Sequence, residues 1–309
     1  MKLHKGRVLL TGASGFIGRA AINPLLGAGF EVHAVARHAL PGVSEVTWHE
    51  ADLLDERAIK AAVAAAGPSH LLHFAWYAEP GKYWSSVANV DWLRASLVLM
   101  RAFHESGGRR AVMAGTCAEY EWSADAYSEG GSPLRPATLY GTCKNALQEV
   151  LAAFSRQTGL STAWGRIFFP FGPHEHRSRL IPSVACSLLE GRVAECTPGE
   201  QVRDFMHVDD VAAAFVALLA SDVAGAVNIG SGSGVRVKDI VRSIGGQIGH
   251  SDLIRLGARP MPAGDPPSIV ANVTRLQNEV GWRPSRSFET ALSDTLAWWR
   301  NCHDQARTA

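Results

Sequence analysis

The sequence predicts an α/β protein with a doubly wound parallel sheet of the Rossmann type and a smaller C-terminal substrate-binding lid. Strand-like and helix-like segments alternate over the first two-thirds of the 309-residue chain. The first of these strands runs into the glycine-rich stretch "TGASGFIG". From Pro170 the pattern changes to a stretch rich in proline, histidine and arginine. Alternating strands and helices imply crossover connections and a parallel sheet that is covered on both faces.

The elements follow one another in a regular order. The apolar run 7–12 ends in glycine and predicts a buried first strand. The following predicted helices are 16–29, 55–67, 87–107, 139–159 and 209–221, and the following predicted strands are 31–37, 70–76, 109–116, 161–169 and 225–232. Residues 170–183 are interpreted as a pocket-lining loop, and 288–300 as an amphipathic helix.

These elements predict two domains. We expect residues 1–170 to form the dinucleotide-binding Rossmann domain, with 203–230 returning to it. Residues 171–202 and 231–309 are then expected to form the substrate-binding domain.

Composition argues against several classes of partner. Thirty basic residues face twenty-nine acidic ones, and no run of lysine or arginine exceeds two, so neither a nucleic-acid surface nor an anionic-membrane surface is indicated. The five cysteines contain no CxxC spacing, which favours reduced thiols over a disulfide framework. No apolar stretch is long enough for a signal-peptide core or a membrane span, so we expect a cytoplasmic protein.

The stretch "TGASGFIG" has features of a dinucleotide-binding loop. Gly12, Gly15 and Gly18 come directly after a strand and at the start of a helix. In such loops the first glycine permits a tight turn, the second lets the backbone approach a pyrophosphate, and the third lets the helix pack closely on the strand. The helix N-terminus adds free N–H groups and a partial positive charge. An ordinary glycine-rich turn is the alternative.

The end of the second strand indicates which dinucleotide binds. An NAD site places an acidic residue there to bond the ribose 2′-hydroxyl, but this chain has Arg37 followed by His38. A guanidinium suits a 2′-phosphate, so NADP(H) is favoured over NAD(H), although Arg37 can also stack on adenine. Asp52 is a candidate for the adenine edge or, alternatively, a helix cap.

Tyr140 and Lys144 form a candidate acid/base pair. Residues four apart lie on one helix face, so the two side chains can share a small volume. A phenol has a pKa of about 10, and a nearby ammonium lowers it. Thr116, at the end of strand 109–116, is a second hydrogen-bonding group for a substrate oxygen, and Cys117 is a weaker candidate. The alternatives are an ordinary helix face and an ordinary polar strand end.

Several motifs in the same order resemble those of the extended short-chain dehydrogenase/reductases, which include nucleotide-sugar epimerases, dehydratases and 4-ketoreductases. The motifs are "TGASGFIG", "DLLD", "HFAW", "AGTCAEY", "YGTCK", "RIFFPFGP" and "RDFMHVDDVA". The resemblance implies that Tyr140 is the acid/base, that Lys144 binds the cofactor ribose and lowers the tyrosine pKa, and that Thr116 is the hydroxyl partner. It also implies that Arg203 contacts a nucleotide diphosphate, with an ion pair to Asp204 or Asp209 as the alternative.

The predicted site has a catalytic, a cofactor-binding and a substrate-binding group of residues. The predicted catalytic residues are Thr116, Tyr140 and Lys144. The predicted cofactor-binding residues are Gly12, Ser14, Gly15, Phe16, Ile17, Gly18, Arg37, Asp52, Leu53, Ala75, Tyr140 and Lys144. The predicted substrate-binding residues are Trp76, Thr116, Cys117, Phe169 and Arg203. No metal is expected, because "HEH" (174–176) is an incomplete ligand set and hydride chemistry needs none.

Departures from the family pattern narrow the activity. Sugar dehydratases carry an aspartate and a glutamate directly after the hydroxyl partner, whereas here Thr116 is followed by Cys117 and Ala118. A 4,6-dehydration therefore lacks its proton carriers. Phe169 stands where many relatives have a phosphate-binding asparagine, which indicates that the diphosphate is bound by a different set of contacts. Aromatic residues in "HFAWYAEPGKYW" (73–84) are expected either to stack against a deoxysugar or to pack the lid.

The leading hypothesis is an NADPH-dependent ketoreductase acting on the 4-keto group of a nucleotide-activated 6-deoxyhexose. Tyr140 would donate the proton and Thr116 would polarise the oxygen. One alternative is a nucleotide-sugar 4-epimerase that retains NAD and shows no net cofactor consumption. Another is a non-catalytic NADP-binding sensor, against which the Thr116–Tyr140–Lys144 set argues. The family resemblance also implies a homodimer formed through helices 87–107 and 139–159.

Overall fold

The protein is described from a computed structural model that covers residues 5–308; residues 1–4 and 309, which the predicted domains include, lie outside the described residues. The strands are β1 (Gly6–Thr11), β2 (Phe30–Ala36), β3 (Thr47–Glu50), β4 (His70–His73), β5 (Arg110–Thr116), β6 (Ala126–Tyr127), β7 (Ser161–Ile167), β8 (Phe169–Phe171), β9 (Ala194–Cys196), β10 (Val202–Arg203), β11 (Phe205–His207), β12 (Gly225–Ile229), β13 (Val235–Arg236), β14 (Ile254–Leu256) and β15 (Ser268–Ala271). The α-helices are α1 (Phe16–Gly27), α2 (Glu56–Ala66), α3 (Ala88–Glu105), α4 (Leu139–Thr158), α5 (Leu180–Leu189), α6 (Val208–Ala220), α7 (Val237–Ile248), α8 (Thr274–Asn278) and α9 (Phe288–Thr308).

The main sheet confirms the predicted fold class. It has seven strands in the order β3-β2-β1-β4-β5-β7-β12, and every neighbouring pair is parallel. The order reverses between β1 and β4, and in doubly wound sheets the ligand crevice lies outside the carboxyl ends of the strands at that point. The predicted glycine loop and the ends of β4 and β5 therefore lie along one edge of the sheet.

Two apolar clusters cover the faces of this sheet. On one face α1 and α6 pack together over strand residues that include Val8, Leu10 and Val112. On the other face α2, α3 and α4 pack over residues that include Leu9 and Leu71. Successive residues of β1 thus point to opposite clusters, and both sides of the strand are buried, as expected for a central parallel strand.

Local chemistry sets the ends of two helices close to the crevice. Helix α2 begins where the Asp55 side chain accepts a hydrogen bond from the Arg57 N–H, and it ends at Gly67 in the left-handed conformation. Helix α4 begins where Thr138 accepts a hydrogen bond from the Gly141 N–H at 3.1 Å, and it ends at Gly159. The Thr138 cap fixes the first turn of α4, which carries Tyr140.

The C-terminal part of the chain builds the lid. Helices α5, α7 and α9 enclose an apolar cluster with β9 and β14. A four-stranded sheet, in the order β13-β10-β15-β6, and the pair β8–β11 connect this part to the main sheet. No helix among the described residues is long and apolar enough to cross a membrane.

Several details of the secondary structure differ from the expectations. The interpretation of 170–183 as one loop is wrong, because α5 begins at Leu180. Strand β3 was not expected, and α9 extends to Thr308 instead of ending at residue 300. Both α5 and β3 are short, and their sequences lack the alternation of apolar and polar residues on which prediction depends.

Candidate active site

The glycine loop connects β1 tightly to α1. Gly12 has a φ of +69°, and a Cβ there would lie 2.8 Å from the backbone nitrogen of Ala75. A Cβ on Gly18 would lie 2.0 Å from the Gly12 carbonyl oxygen. These two glycines are therefore required for the close packing of the turn, the helix and the end of β4.

Gly15 fits an anion site. It is the N-cap residue of α1, and the helix has no side-chain cap. The first N–H groups of α1, beginning with Phe16 and Ile17, therefore have no capping side chain and carry the positive end of the helix dipole. Among the described residues, a Cβ on Gly15 would meet the Gly12 carbonyl oxygen at 3.1 Å and, apart from its neighbours in the chain, no other heavy atom within 4 Å. The loop thus fits a dinucleotide pyrophosphate.

The other predicted cofactor residues lie along the same edge. Arg37 is the first residue after β2 and is exposed. Asp52 does not cap the next helix, since that role belongs to Asp55; instead it accepts a hydrogen bond from the Leu54 N–H at 2.9 Å. Leu53, Ala75 and Ser14 complete the set: the first two are buried near the carboxyl ends of β3 and β4, and Ser14 is exposed in the glycine loop.

Thr116 and Tyr140 come together as predicted. Thr116 is the last residue of β5, and Tyr140 lies in the first turn of α4. The two side chains share a hydrogen bond, which leaves the Tyr140 hydroxyl beside the end of the sheet. The Thr116 hydroxyl also accepts a hydrogen bond from the Ala118 N–H at 3.2 Å. The pair can therefore present two hydroxyl groups to one substrate oxygen.

The pKa of Tyr140 differs from the sequence-based expectation. Burial of the hydroxyl raises its pKa above the ordinary value, and the neighbouring Tyr83 raises it further. The hydrogen bond from Thr116 acts in the opposite direction but is a smaller effect. The expected lowering of this pKa by Lys144 is therefore wrong, because burial is the largest effect on the phenol and it disfavours the phenolate. Tyr140 is consequently a protonated acid.

Lys144 lies deep beneath Tyr140. Its side chain is 3% exposed, and its Nζ donates a hydrogen bond to the Ala114 carbonyl oxygen at 2.7 Å. The Nζ also lies 3.9 Å from the centroid of the Trp76 ring. Burial lowers the pKa of Lys144 to about 7, and the Glu119 carboxylate raises it in part.

An aromatic wall stands against Tyr140. The ring of Tyr83 meets the ring of Tyr140 edge to face with centroids 4.9 Å apart, and the ring of Trp84 does so at 5.8 Å. The Trp84 carbonyl oxygen accepts a hydrogen bond from the Tyr140 N–H at 3.1 Å. The ring of Trp122 meets the ring of Trp84 edge to face, with centroids 6.3 Å apart. The segment after β4 therefore packs against Tyr140.

The predicted substrate-binding residues are distributed unevenly. Cys117 is buried among apolar side chains, and burial raises the pKa of its thiol to about 12. Arg203 is buried and forms an ion pair with Asp265 at 2.6 Å, not with Asp204 or Asp209. Its guanidinium also lies 5.7 Å from the ring centroid of Phe169.

The most important missed residues are Glu119 and Arg166. Glu119 accepts hydrogen bonds from the Thr116 N–H at 2.8 Å and from the Trp164 indole, and its other oxygen pairs with Arg166 at 2.7 Å. Both charged side chains are buried. The signal was present in the sequence, because "TCAE" has the threonine-to-glutamate spacing of a capping box.

The fold, the glycine loop and the Thr116–Tyr140–Lys144 set define an extended short-chain dehydrogenase/reductase, a class of enzymes that use a nicotinamide cofactor. The sequence profile of the NAD dependent epimerase/dehydratase family matches residues 8–230. The chain belongs to that family. Among the residues that the structure describes, no group of histidine, cysteine and acidic side chains is placed to hold a metal ion.

Individual relatives are similar over nearly the whole chain. UDP-glucose 4-epimerase from Streptomyces lividans is 27% identical over 323 residues, which cover 95% of this chain and 96% of that protein. The structure of MoeE5 in complex with UDP-glucuronic acid and NAD is 30% identical, with a TM-score of 0.84 and coverage of 96% of this chain and 100% of that one. The Thermus thermophilus UDP-glucose 4-epimerase complex with NAD is 25% identical, with a TM-score of 0.83 and coverage of 95% and 99%.

Proposed function

We propose that the protein reduces a keto group, the 4-keto group of a nucleotide-activated 6-deoxyhexose. The observation that carries this proposal is the hydrogen-bonded Thr116–Tyr140 pair, in which burial keeps the phenol protonated. A bound reduced nicotinamide would supply the hydride. Tyr140 would donate its proton to the carbonyl oxygen as that oxygen becomes an alkoxide, and Thr116 would hold the same oxygen by a hydrogen bond.

The substrate class is supported by the surroundings of Tyr140. Tyr83, Trp84 and Trp122 present an apolar wall beside the reacting position, which suits the methyl group of a 6-deoxysugar better than a hydroxymethyl group. The nucleotide-sugar part of the proposal is supported by the relatives, which include UDP-glucose 4-epimerases and a protein bound to UDP-glucuronic acid.

We also propose that the cofactor is NADP(H), since Arg37 is exposed at the end of β2 and the next residue in the sequence is His38 and not a carboxylate. The neighbouring structures that contain NAD make NAD(H) the competing cofactor. The Michaelis constants for NADPH and NADH decide between them. In Arg37→Ala, the constant for NADPH should rise much more than the constant for NADH; equal changes would contradict a role for Arg37 in phosphate binding.

The second candidate is a nucleotide-sugar 4-epimerase with a retained cofactor, which the similarity to UDP-glucose 4-epimerases favours. One experiment separates the two. The purified protein is incubated with a nucleotide-activated 4-keto-6-deoxyhexose and NADPH, and separately with UDP-glucose and no added cofactor. A reductase consumes NADPH in proportion to product in the first mixture. An epimerase forms UDP-galactose in the second without net consumption.

We propose a cytoplasmic homodimer as the working form. Its thiols are compatible with a reducing compartment, since all five cysteines are free and four are buried. The dimer contact is assigned to the outer faces of α3 and α4.

A further inference from the structure

The surroundings of Lys144 provide little solvation for a charged group. The side chain is 3% exposed, and within residues 5–308 the Ala114 carbonyl oxygen is its one hydrogen-bond acceptor. The face of the Trp76 indole lies 3.9 Å from Nζ, and the Trp164 ring lies 5.9 Å from it. An ammonium ion in such a place keeps its charge only through the groups that touch it.

The charged and titratable neighbours of Lys144 supply little net negative charge. Glu119 attracts the ammonium, but its carboxylate is already paired with Arg166. His73 on β4 is held neutral, because burial and Lys144 lower its pKa to about 3. Tyr140, on the same helix, is a neutral phenol. The negative face of an aromatic ring is therefore an important stabilising contact for the charge.

The orientation of Trp76 is fixed by a buried amide. The indole Nε1 donates to the Asn89 Oδ1 at 2.8 Å, and the Asn89 Nδ2 donates to the carbonyl oxygens of Tyr83 and Ser86 at 2.7 and 2.8 Å. Asn89 is fully buried at the start of α3. The same amide thus aligns Trp76 over Lys144 and anchors the segment that places the Tyr83 ring on Tyr140.

We propose that Trp76 is a positioning residue, whose indole face holds Lys144 as an ammonium ion and fixes it between Tyr140 and the cofactor crevice. The inference rests on the proposed function in so far as that function needs a charged lysine at this place. Cation–π attraction grows when the cation is desolvated, as Lys144 is. Trp76, assigned from the sequence to the substrate, acts in this proposal through the lysine.

The first test measures the charge state of Lys144 without cofactor or substrate. The chain contains only six lysines, so selective isotope labelling of lysine side chains gives a simple NMR spectrum, in which the Lys144 signal is identified by its loss in Lys144→Met. We expect Trp76→Leu to lower the measured pKa of Lys144 by about one pH unit, and Trp76→Phe to lower it less. An unchanged or higher pKa in both variants would overturn the proposal.

A matched control separates this effect from general loss of an indole. Trp48 is a half-buried tryptophan on the edge strand β3, and its Nε1 donates to the Val43 carbonyl oxygen at 3.2 Å. Trp48→Leu removes comparable bulk far from α4 and should leave the Lys144 titration unchanged. A similar shift in Trp48→Leu would show that the effect is structural and would overturn the proposal.

The second test uses turnover. If charged Lys144 is required, the rate falls as the pH rises through the pKa of Lys144. In Trp76→Leu this alkaline limb of the pH–rate profile should move to lower pH by the same shift that NMR measures. A limb that stays in place would contradict the role of Trp76 in catalysis. Absence of turnover with every carbonyl substrate would instead refute the proposed function, while the NMR titration would still decide the contact with Lys144.

Discussion

At the scale of single residues, Tyr140 is the group on which the proposed chemistry depends. Its hydroxyl is hydrogen-bonded to Thr116, and burial raises its pKa, so that the phenol stays protonated across the physiological pH range. A proton donor of this kind suits reduction of a ketone, in which the oxygen gains a proton as the carbon gains a hydride. The reverse reaction would need the phenolate, and the bound cofactor would have to supply the positive charge that favours it.

The first prediction concerns this hydroxyl. Tyr140→Phe removes the proton donor and keeps the ring that packs on Tyr83. Turnover should fall by about 10²–10⁴, whereas dinucleotide affinity should fall far less because the other cofactor-binding residues remain, as measured by steady-state kinetics and calorimetric titration. Tyr77→Phe is the matched control, because the Tyr77 hydroxyl bonds Glu79 and lies outside the acid/base pair. Full turnover in Tyr140→Phe would eliminate the assigned role.

The second prediction concerns the cost of burying Lys144. Its pKa in the folded protein is about 7, against 10.5 for an unperturbed lysine. Between these values the unfolded chain binds more protons, so this residue makes stability rise with pH, and its destabilising effect is fully present below the folded value. Lys144→Met should therefore increase the free energy of unfolding at about pH 7 by about 2 kcal/mol, after allowing for the lost bond to Ala114.

Urea unfolding followed by tryptophan fluorescence measures this effect. The advantage of Lys144→Met over the parent chain should shrink toward about pH 10, where the unfolded lysine also loses its proton. A stability difference that is independent of pH would contradict the burial argument. Lys144→Met should also lose turnover, because it removes the predicted catalytic lysine; stabilising changes at active sites commonly remove function in this way.

The sequence was sufficient to predict which residues come together but not the pKa values of their side chains. The spacing of Tyr140 and Lys144 and the strand end at Thr116 placed the three groups correctly, because helix period and sheet edge are local properties. The pKa of Tyr140 could not be predicted from that spacing. It depends on Tyr83 and on burial, which come from a segment far away in the chain.

At the scale of elements, the buried pair Glu119–Arg166 joins β7 to the turn that follows β5. Both side chains are buried, and the carboxylate also accepts hydrogen bonds from the Thr116 backbone and the Trp164 indole. The pair therefore holds the end of β5, and with it the Thr116 hydroxyl, against the neighbouring strand. Such a pair is costly to break because the remaining partner stays buried and charged.

The third prediction follows from this pair. Glu119→Gln leaves the Arg166 guanidinium buried without a counter-charge, and Arg166→Met leaves the Glu119 carboxylate buried without a counter-charge. Each single variant should lower the free energy of unfolding by about 3–5 kcal/mol. The double variant should be destabilised by much less than the sum, because neither charge remains. Additive losses in urea unfolding would contradict the pairing. Glu56→Gln, which breaks only an exposed pair with Lys60, should change stability very little.

Elements with strong periodicity were predicted well, and short buried ones were not. Helix α4 was predicted within one residue of its observed limits. Helix α5 was missed because Pro182 and the polar stretch before it suggested a loop; the proline is tolerated in the first turn, where its missing N–H has no helical partner. Strand β3 has only four residues, and its position depends on pairing with β2.

At the scale of the whole molecule, the separate apolar cluster under the lid is consistent with the predicted division into two parts. Helices α5, α7 and α9 bury their apolar residues against one another, whereas α6 returns to the main sheet and packs on α1. The domain limits 1–170 with 203–230, and 171–202 with 231–309, remain a prediction. Limited proteolysis of the cofactor-bound protein would test whether the lid is the part cleaved first.

The outer faces of α3 and α4 give the last prediction, which concerns assembly. These two helices pack side by side on one face of the sheet, and their large exposed apolar side chains include Val90 and Val150, at 53% and 44% exposure. Val87, directly before α3, is 78% exposed. Two copies of such a face can bury the valines in a four-helix contact related by a two-fold axis. We therefore expect the protein to sediment as a dimer, and Val90→Lys combined with Val150→Lys to sediment as a monomer. Val193→Lys is the control, because it changes a similarly exposed valine before β9 and should leave the dimer intact. A double variant that remains dimeric would show that the contact lies elsewhere. A parent chain that sediments as a monomer would contradict the dimer itself.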